Sequence, residues 1–455
     1  AGTAYIAEQS NGRLQWMDYA DMFGSVVLGV RLNGEFQKYA LLAIDADDVR
    51  AVAETEANAD ATFLNLGVEP ISTIDYDIDC DGTMLHGECE LASPTEVGLL
   101  EPIAVNLPFE APAYASRSSA TLLPTLVNGY PCAKSSSCQF GITTLTEAIA
   151  QRVVEEEFTG TTCGNCPRGI KGMEITESKY PEAVLIAIHR YQVTDPMYID
   201  YPYSAAGYPG CYINRTSKEI DPYYGKPLSE SSADDTYGLD AYFQSPNPLA
   251  DAGISLEAEW IDNTIAVNAT TTVATDLDGK YRLEFVVLVD DLYGDAKSWC
   301  QTNYFSGSTY YENHPDLAEF VSAPYYIDDI RYNHVAAQWY GGSDKYVLES
   351  LYAGAENQLS TTLDMSVCRF ISNPGSSSFD KEKTSLAALL IKDDGTTKGE
   401  IVNATKVALG GGIEGIESIE IQRQESDAAY DLLGRPVSEG YKGFVIKNGN
   451  AVLMR

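Results

Sequence analysis

The stretch that decides the fold is Val153-Val-Glu-Glu-Glu-Phe-Thr-Gly-Thr-Thr-Cys-Gly-Asn-Cys-Pro-Arg-Gly169. Two β-branched residues open it and predict a short strand, which Thr159-Gly160 ends. Cys163-Gly-Asn-Cys166 follows where a helix can begin, because Pro167 suits the first helical turn. The free N–H groups and dipole of a helix start favour a thiolate, so we expect Cys163 to be a nucleophile. Cys166, one turn on, can then resolve a mixed disulfide.

A Cys-x-x-Cys pair at a strand-to-helix junction is typical of thioredoxin-like redox proteins. Gly207-Tyr-Pro-Gly-Cys-Tyr-Ile-Asn-Arg215 supplies a proline directly before a second short strand. In a thioredoxin-like fold this place belongs to a cis-proline that faces the cysteine pair. We therefore expect a cis Tyr208–Pro209 bond, with Pro209 beside both sulfurs.

An acidic run, residues 155–157, lies in the strand that leads to the cysteines. Runs of this kind are usually solvated. Glu157, however, stands six residues before Cys163, near the strand position where thioredoxin-like proteins hold a buried acid. Burial would raise the pKa of Glu157, so that it could exchange a proton with Cys166. Both interpretations remain open.

These motifs resemble the thioredoxin-like surface and outer-membrane proteins of Bacteroidetes, related to their 28-kDa outer membrane protein family. Members commonly read Glu-Glu-Phe-Thr-Gly-x-Trp-Cys-Gly-x-Cys-Pro-Arg-Gly, and residues 156–160 and 163–169 keep that pattern. Thr162 replaces the tryptophan, so the aromatic lid over the disulfide is missing. Gly207, Pro209 and Ile213-Asn-Arg215 match a second family motif. The resemblance implies a thioredoxin-like domain with Cys163, Cys166, Pro209 and Glu157 at its site.

Composition excludes several classes of function. The chain has 66 acidic and 30 basic residues among 455, a formal charge of −36. A nucleic-acid or anionic-lipid partner would require basic patches, so neither is expected. The four histidines show no zinc spacing, phosphate-loop and dinucleotide fingerprints are absent, and no apolar run has the length of a transmembrane helix. We expect no cofactor, no metal and no transmembrane segment.

The nine cysteines favour an oxidising compartment. Cys80 and Cys89 flank a turn, Cys132 and Cys138 flank a short polar loop, and either pair could form a disulfide staple. Buried free thiols are the alternative. With two staples and a redox pair, we expect an extracytoplasmic protein that is located at the outer membrane or cell surface, or secreted.

The order of strand and helix patterns predicts a multidomain β plus α/β protein, with a thioredoxin-like domain flanked by immunoglobulin-like β-sandwiches. Residues 1–37 read as the end of a truncated N-terminal β domain. The expected parts that follow are a sandwich at 38–145, the thioredoxin-like domain at 146–250, a second sandwich at 251–409, and a linker with a C-terminal tail at 410–455.

One segment fits two structures. Asp77-x-Asp79-x-Asp81-Gly82 with Glu88 matches the calcium-loop pattern. The same residues alternate acidic and apolar with the period of a strand, and Asp81-Gly82 is favourable for a hairpin turn. We favour an acidic hairpin, with a cation loop as the alternative.

The C-terminal tail resembles the short form of the sorting signal of type IX (Por) secretion. Its submotifs are Tyr430-Asp-Leu-Leu-Gly-Arg435, then Lys442-Gly-Phe-Val-Ile446, then Val452-Leu-Met-Arg455. The resemblance implies that the type IX machinery is a partner. The two apolar strands around Asn448-Gly449 are predicted to form a type I′ hairpin. The alternative to a sorting signal is that this hairpin is an ordinary strand pair that ends a β domain.

Two functions remain open, and the sequence leaves it uncertain whether the protein is an enzyme. The first is a cell-surface or outer-membrane protein with an unknown protein or glycan ligand, whose Cys163–Cys166 disulfide is either redox-active or inert. The second is a thiol–disulfide oxidoreductase that acts on extracytoplasmic protein disulfides. A fold alone does not choose between them.

Overall fold

A computed structural model describes residues 37–92, 102–133, 135–232, 234–245, 248–372, 377–396 and 398–410. It also describes the strands of two terminal segments. At the N-terminus β1 (Tyr5–Ser10) and β2 (Arg13–Asp18) form an antiparallel pair. The remainder of the predicted 1–37 domain lies outside the described residues.

The chain divides into two compact units, of which the first comprises residues 1–49, 56–110 and 118–142. The strands that lie wholly or mainly in it are β3 (Leu41–Ala46), β5 (Glu56–Asn65), β6 (Thr73–Cys80), β7 (Thr83–Glu90), β8 (Pro102–Glu110), β9 (Ser116–Val127), β10 (Tyr130–Pro131), β11 (Ser135–Ser136) and β12 (Cys138–Leu145), whereas β4 (Val49–Val52) has only its first residue here. Among the strands of this unit, one sheet has the order β12-β9-β6-β7, and the other β11-β3-β5-β8. Alternate side chains of both sheets are buried, and the Tyr76 hydroxyl of β6 donates to the Pro108 carbonyl of β8. The unit is thus built from two β-sheets.

The acidic segment is a hairpin, as favoured above. β6 and β7 pair antiparallel with Cys80 opposite Thr83, and Asp81 and Gly82 form the turn with φ of 50° and 89°. Apolar side chains of β6 are buried, whereas its aspartates are partly exposed. The alternation of a strand therefore outweighs the match to a cation loop.

The two predicted staples are wrong. The tight turn puts Cys80 opposite Thr83 and Cys89 opposite Ile74, so these cysteines lie at opposite ends of the hairpin as buried free thiols. Cys138 is also a thiol, and the Cys132 Sγ accepts a hydrogen bond from the Leu41 N–H. Among the described residues the one disulfide is Cys163–Cys166.

The second unit comprises residues 50–55, 111–117 and 143–455. Its main strands are β13 (Val154–Thr159), β14 (Val184–His189), β15 (Gly210–Ile213), β16 (Ala252–Ile261), β17 (Thr264–Val273), β18 (Tyr281–Val289), β19 (Gln301–Thr302), β20 (Tyr326–Ile327), β21 (Val335–Tyr340), β22 (Glu356–Asp364), β23 (Thr384–Lys392) and β24 (Glu400–Ala408). Its helices are α1 (Pro167–Lys179), α2 (Asp240–Phe243), α3 (Ala318–Ser322) and α4 (Arg369–Ser372).

A seven-stranded mixed sheet organises this unit, in the order β15-β13-β14-β21-β18-β23-β24. β13, β14 and β21 pair in parallel. β15 is antiparallel to β13, and the pairs β21–β18, β18–β23 and β23–β24 are also antiparallel. β16, β17 and β22 form a separate antiparallel sheet. The seven-stranded sheet takes strands from both predicted ranges, 146–250 and 251–409.

The sheet is covered on both faces, which explains the continuous apolar runs of β14, β18 and β23. Phe285 and Val287 pack on one face in a core with Ile265 and Val267 of the three-stranded sheet. The intervening residues of β18 pack on the other face with Ile199 and Tyr201. The predicted division near residue 250 therefore falls between strands that share one hydrophobic core.

A buried ion-pair network fixes the centre of the sheet. Arg215 donates from Nε and Nη2 to both carboxylate oxygens of Glu156, at 2.9 and 2.8 Å, and from Nη1 to Glu284 at 3.0 Å. All three side chains are almost completely buried, and Arg282 adds a second guanidinium against Glu284. The turn residue Asn214 accepts the Val154 N–H at 2.7 Å. The Ile213-Asn-Arg215 motif thereby links β15 to β13 and β18.

The C-terminal tail contains β25 (Ala429–Asp431), β26 (Pro436–Val437), β27 (Gly443–Lys447) and β28 (Asn450–Met454). β27 and β28 pair antiparallel with Lys447 opposite Asn450, so the predicted hairpin around residues 448–449 is confirmed. The predicted linker beyond Gly410 lies outside the described residues. Across the described parts of the chain, every helix is too short or too polar to cross a membrane.

We expect Arg215→Met to lower the free energy of unfolding of the second unit by about 3–5 kcal/mol, because it leaves the buried carboxylate of Glu156 without its charge partner. Urea unfolding monitored by circular dichroism measures the loss. Lys280→Met is the control, since Lys280 and Asp344 form an exposed pair, 3.0 Å apart, that water screens. Equal stability of the Arg215 variant and the control would contradict a structural role for the network.

Candidate functional site

The predicted strand, cysteine pair and helix occur in that order. β13 is buried along its whole length and ends at Thr159, and α1 begins directly after Cys166. Cys163 and Cys166 form a disulfide with a Cα–Cα distance of 5.4 Å. Cys163 is only 4% exposed and Cys166 is fully buried. The pair therefore sits at the start of a helix, but little of it reaches solvent.

The Tyr208–Pro209 peptide bond is cis, as the sequence predicts. It directly precedes β15, in which Gly210 lies opposite Phe158 of β13. A Cβ atom added to Gly169 would lie 3.0 Å from the Cβ of Pro209 and 2.0 Å from Oε1 of Glu157. Glycine at position 169 thus lets the proline and the acid both approach the first turn of α1, immediately after Cys166.

Glu157 is a buried acid. It is 1% exposed, and its Oε1 atom has no hydrogen-bond partner among the described residues. Burial raises the pKa of Glu157 well above its ordinary value, and the carboxyl groups of Glu155 and Asp221 raise it further. Burial also raises the pKa of Glu155, to about 8. Burial therefore favours the protonated form of both carboxyl groups, on the face of β13 that α1 covers.

The usual expectation for the acidic run, a solvated surface, is wrong, because all three glutamates are buried. β13 is an inner strand, so its side chains alternate between two covered faces. Glu156 points away from α1 and is neutralised by Arg215, while Glu155 and Glu157 lie on the helix face. The alternative of a buried acid at position 157 is thus the one that agrees with the geometry.

A carboxylate that the sequence did not assign holds the cysteine loop. Asp195 accepts the Thr161 N–H at 2.7 Å and lies 3.0 Å from Nδ1 of His189 through the same oxygen, Oδ2. Burial alone would raise the pKa of Asp195, but His189 and the amides of Thr161 and Met197 hold it below its ordinary value. His189, at the end of β14, is thus a satisfied polar group. The one sequence feature that could have pointed to Asp195 is the stretch Asp195-Pro-Met197, but its position in the sequence does not indicate a role.

A small cavity lies between α1 and the sheet, and Glu157 lines it together with His189, Glu177 and His334. The volume of the cavity is about 40 Å³, which is large enough for water to enter. Nε2 of His334 lies 3.3 Å from Oε2 of Glu177, which is about half exposed. The cavity thus brings polar groups of α1 and the sheet together around the buried acid.

A distant segment covers the cysteine loop. We call residues 301–327 the tyrosine strap. Gln301 Nε2 donates a hydrogen bond to the Cys163 carbonyl at 2.8 Å. The backbone N–H of Thr302 donates to the Thr161 carbonyl at 2.7 Å, and that of Tyr304 donates to the Gly164 carbonyl at 2.9 Å. No local pattern could have revealed this contact, because the strap lies far along the chain from the cysteines.

We expect Glu157→Gln to alter how stability depends on pH. A carboxyl whose pKa is raised by folding contributes stability that is fully present below its unfolded pKa of about 4.3 and is lost as pH rises from there to the folded pKa. The stability of the wild type relative to Glu157→Gln should therefore fall with rising pH, by at most about 1.4 kcal/mol per pH unit. Urea unfolding between pH 4 and 8 measures this.

Glu182→Gln, at a side chain that is 81% exposed, controls for the loss of one acidic group. A constant difference in stability between wild type and Glu157→Gln across this pH range would contradict a buried, protonated Glu157.

Comparisons with known proteins place the chain in no family: no protein-family model and no curated protein matches it. Among solved structures, HBP35 of Porphyromonas gingivalis aligns at a TM-score of 0.37 and 15% identity, covering 68% of this chain and 98% of that one. A protein from Agrobacterium tumefaciens aligns at 0.30 and 13%, covering 58% and 97%. The adhesin InvE of Yersinia pseudotuberculosis aligns at 0.16 and 7%, covering 90% and 72%. At these scores the likenesses establish neither fold nor function.

Proposed function

We propose that this is a cell-surface or outer-membrane protein with a thioredoxin-like domain in which Cys163 and Cys166 form a working thiol–disulfide couple. One observation carries the proposal: the start of α1 brings together the cysteine pair, the cis-proline and a buried acid. Each part has a chemical use in disulfide exchange, and the proline comes from a stretch of sequence separate from the one that carries Glu157 and the cysteines.

The chemistry begins when a thiolate attacks Sγ of Cys163. A mixed disulfide forms, the Cys163–Cys166 bond breaks, and Cys166 leaves as a thiolate. Glu157, whose protonated form is favoured by burial, gives its proton to Cys166, and the cavity lets water restore it. A second thiol then attacks the sulfur of the bound substrate, which releases a disulfide and leaves both cysteines reduced. In the oxidising direction the steps reverse, and Glu157 accepts the proton of Cys166.

The alternative is an inert staple inside a surface protein that binds another protein or a glycan. The low exposure of Cys163 and its cover by the tyrosine strap favour this alternative. Burying a proton donor beside a disulfide that never opens would, however, cost stability at neutral pH without use. This cost is the reason to prefer the redox function.

The reduction potential of Cys163–Cys166 tests the proposal. We expect about −120 to −270 mV, the range of working couples, whereas structural disulfides lie below about −300 mV. Equilibration with dithiothreitol buffers, followed by alkylation and mass spectrometry, measures it, with Cys166→Ser as the control that cannot form the pair. A potential below −300 mV would support the staple.

The sorting interpretation of the tail is part of the proposal. The paired strands β27 and β28 support a compact C-terminal element, and the submotifs of residues 430–455 resemble the type IX signal. We expect deletion of residues 430–455 to leave the urea midpoint of the second unit unchanged and to trap the protein inside the outer membrane. Protease accessibility on intact cells reads this out. Normal display of the truncated protein would refute the sorting role.

A further inference from the structure

We propose that the tyrosine strap makes the Cys163–Cys166 couple selective for small thiols and small disulfides, by excluding folded protein partners until it moves. This inference rests on the proposed redox function and names its substrate class. It differs from the expectation that the couple acts on protein disulfides.

The strap covers the loop through hydrogen bonds to three of its main-chain carbonyls, one from the Gln301 side chain and two from the backbone N–H groups of Thr302 and Tyr304. Its donors at positions 301, 302 and 304 satisfy the carbonyls of Cys163, Thr161 and Gly164. These are backbone groups that a docked polypeptide could otherwise pair with. A protein substrate must therefore compete with the strap for the same carbonyl groups.

The ring of Tyr304 closes the cover. A Cβ atom added to Gly164 would lie 2.3–2.5 Å from three carbon atoms of that ring, so the ring rests directly on the loop between the cysteines. Tyr304 itself is 60% exposed and lies 5.9 Å from Tyr325, centroid to centroid. It supplies an aromatic cover that is absent at Thr162, which is exposed. Rotation of this one exposed side chain can open a narrow path for a small thiol.

The strap itself is firmly anchored. β19 pairs with β20, and Asn303 Nδ2 donates to the Phe320 carbonyl at 2.7 Å. Phe305, Leu317 and Phe320 are buried in a core that includes Tyr223 and Tyr224. Movement of the whole strap would break these contacts, whereas movement of Tyr304 would not. A small reactant therefore reaches Cys163 at much lower cost than a protein does.

The exchange balances with thiols alone. Two equivalents of a small thiol, or one dithiol, reduce the Cys163–Cys166 bond, and the small molecule leaves as its disulfide. The two protons of the attacking thiols end on Cys163 and Cys166. No other oxidant or reductant is required.

The test compares two reductants of the oxidised full-length protein: dithiothreitol and reduced thioredoxin, a folded protein dithiol. Rate constants come from quenched alkylation and mass spectrometry. We expect Tyr304→Ala to accelerate reduction by thioredoxin about tenfold, as loss of roughly 1.4 kcal/mol of closing free energy would. Reduction by dithiothreitol should change by less than about threefold on the same scale. Tyr310→Ala is the matched control, since Tyr310 is an exposed strap tyrosine that contacts Tyr311.

A second variant approaches the contact from the other side. Gly164 does not have a positive φ, so Gly164→Ala is compatible with the backbone, but its Cβ would displace the Tyr304 ring. It should accelerate reduction by thioredoxin in the wild-type background and have little further effect with Tyr304→Ala, because one contact is lost in both. Additive effects of the two substitutions would overturn the proposal.

Other outcomes are also decisive. Wild-type protein that thioredoxin reduces as fast as dithiothreitol would refute exclusion by the strap. Equal acceleration of both reductants by Tyr304→Ala would indicate a change in the disulfide rather than in access. A couple with a potential below about −300 mV that still shows the selective acceleration would refute the redox function while leaving the exclusion of proteins intact.

Discussion

A guanidinium group in the middle of the second unit joins three separate stretches of chain. Arg215 pairs with Glu156 of β13 and Glu284 of β18, and it donates to the Lys398 carbonyl at 2.8 Å. Such a group in an apolar core is stable only when its charge is matched, so these stretches must come together in one register. The disulfide, the cis-proline and Glu157 all lie on strands or turns that this network holds.

The sequence was informative wherever the chemistry is local. Spacing around Cys163 and Cys166 predicted the strand, the loop and α1, and the X-Pro motif predicted the cis bond at Pro209. The hairpins at residues 81–82 and 448–449 followed from turn residues, because a two-residue turn needs conformations that glycine and asparagine adopt easily. In each of these cases a few neighbouring residues determine the backbone geometry.

Features that depend on distant pairing were not predictable. β21 joins β14 through the pairing of Ala187 with Val335, so the parallel part of the sheet is completed from residues far along the chain. The strap reaches the cysteine loop in the same way. The expectation that the acidic run is solvated was wrong, because a charge pattern does not reveal that its strand is covered on both faces. The two staples failed because spacing between cysteines carries no information on register.

The late position of β21 and the strap has a consequence for how the protein matures. A chain that emerges from its N-terminus presents Cys163 and Cys166 long before residues 301–340 exist to cover them. Domains generally fold as units, and pairing between distant strands is slow. The cysteine pair is therefore open when it is first made, and the strap can cover it only after residues 301–327 have been added to the chain. The order in which these segments are made and folded therefore determines when a reaction partner has access to the two sulfur atoms.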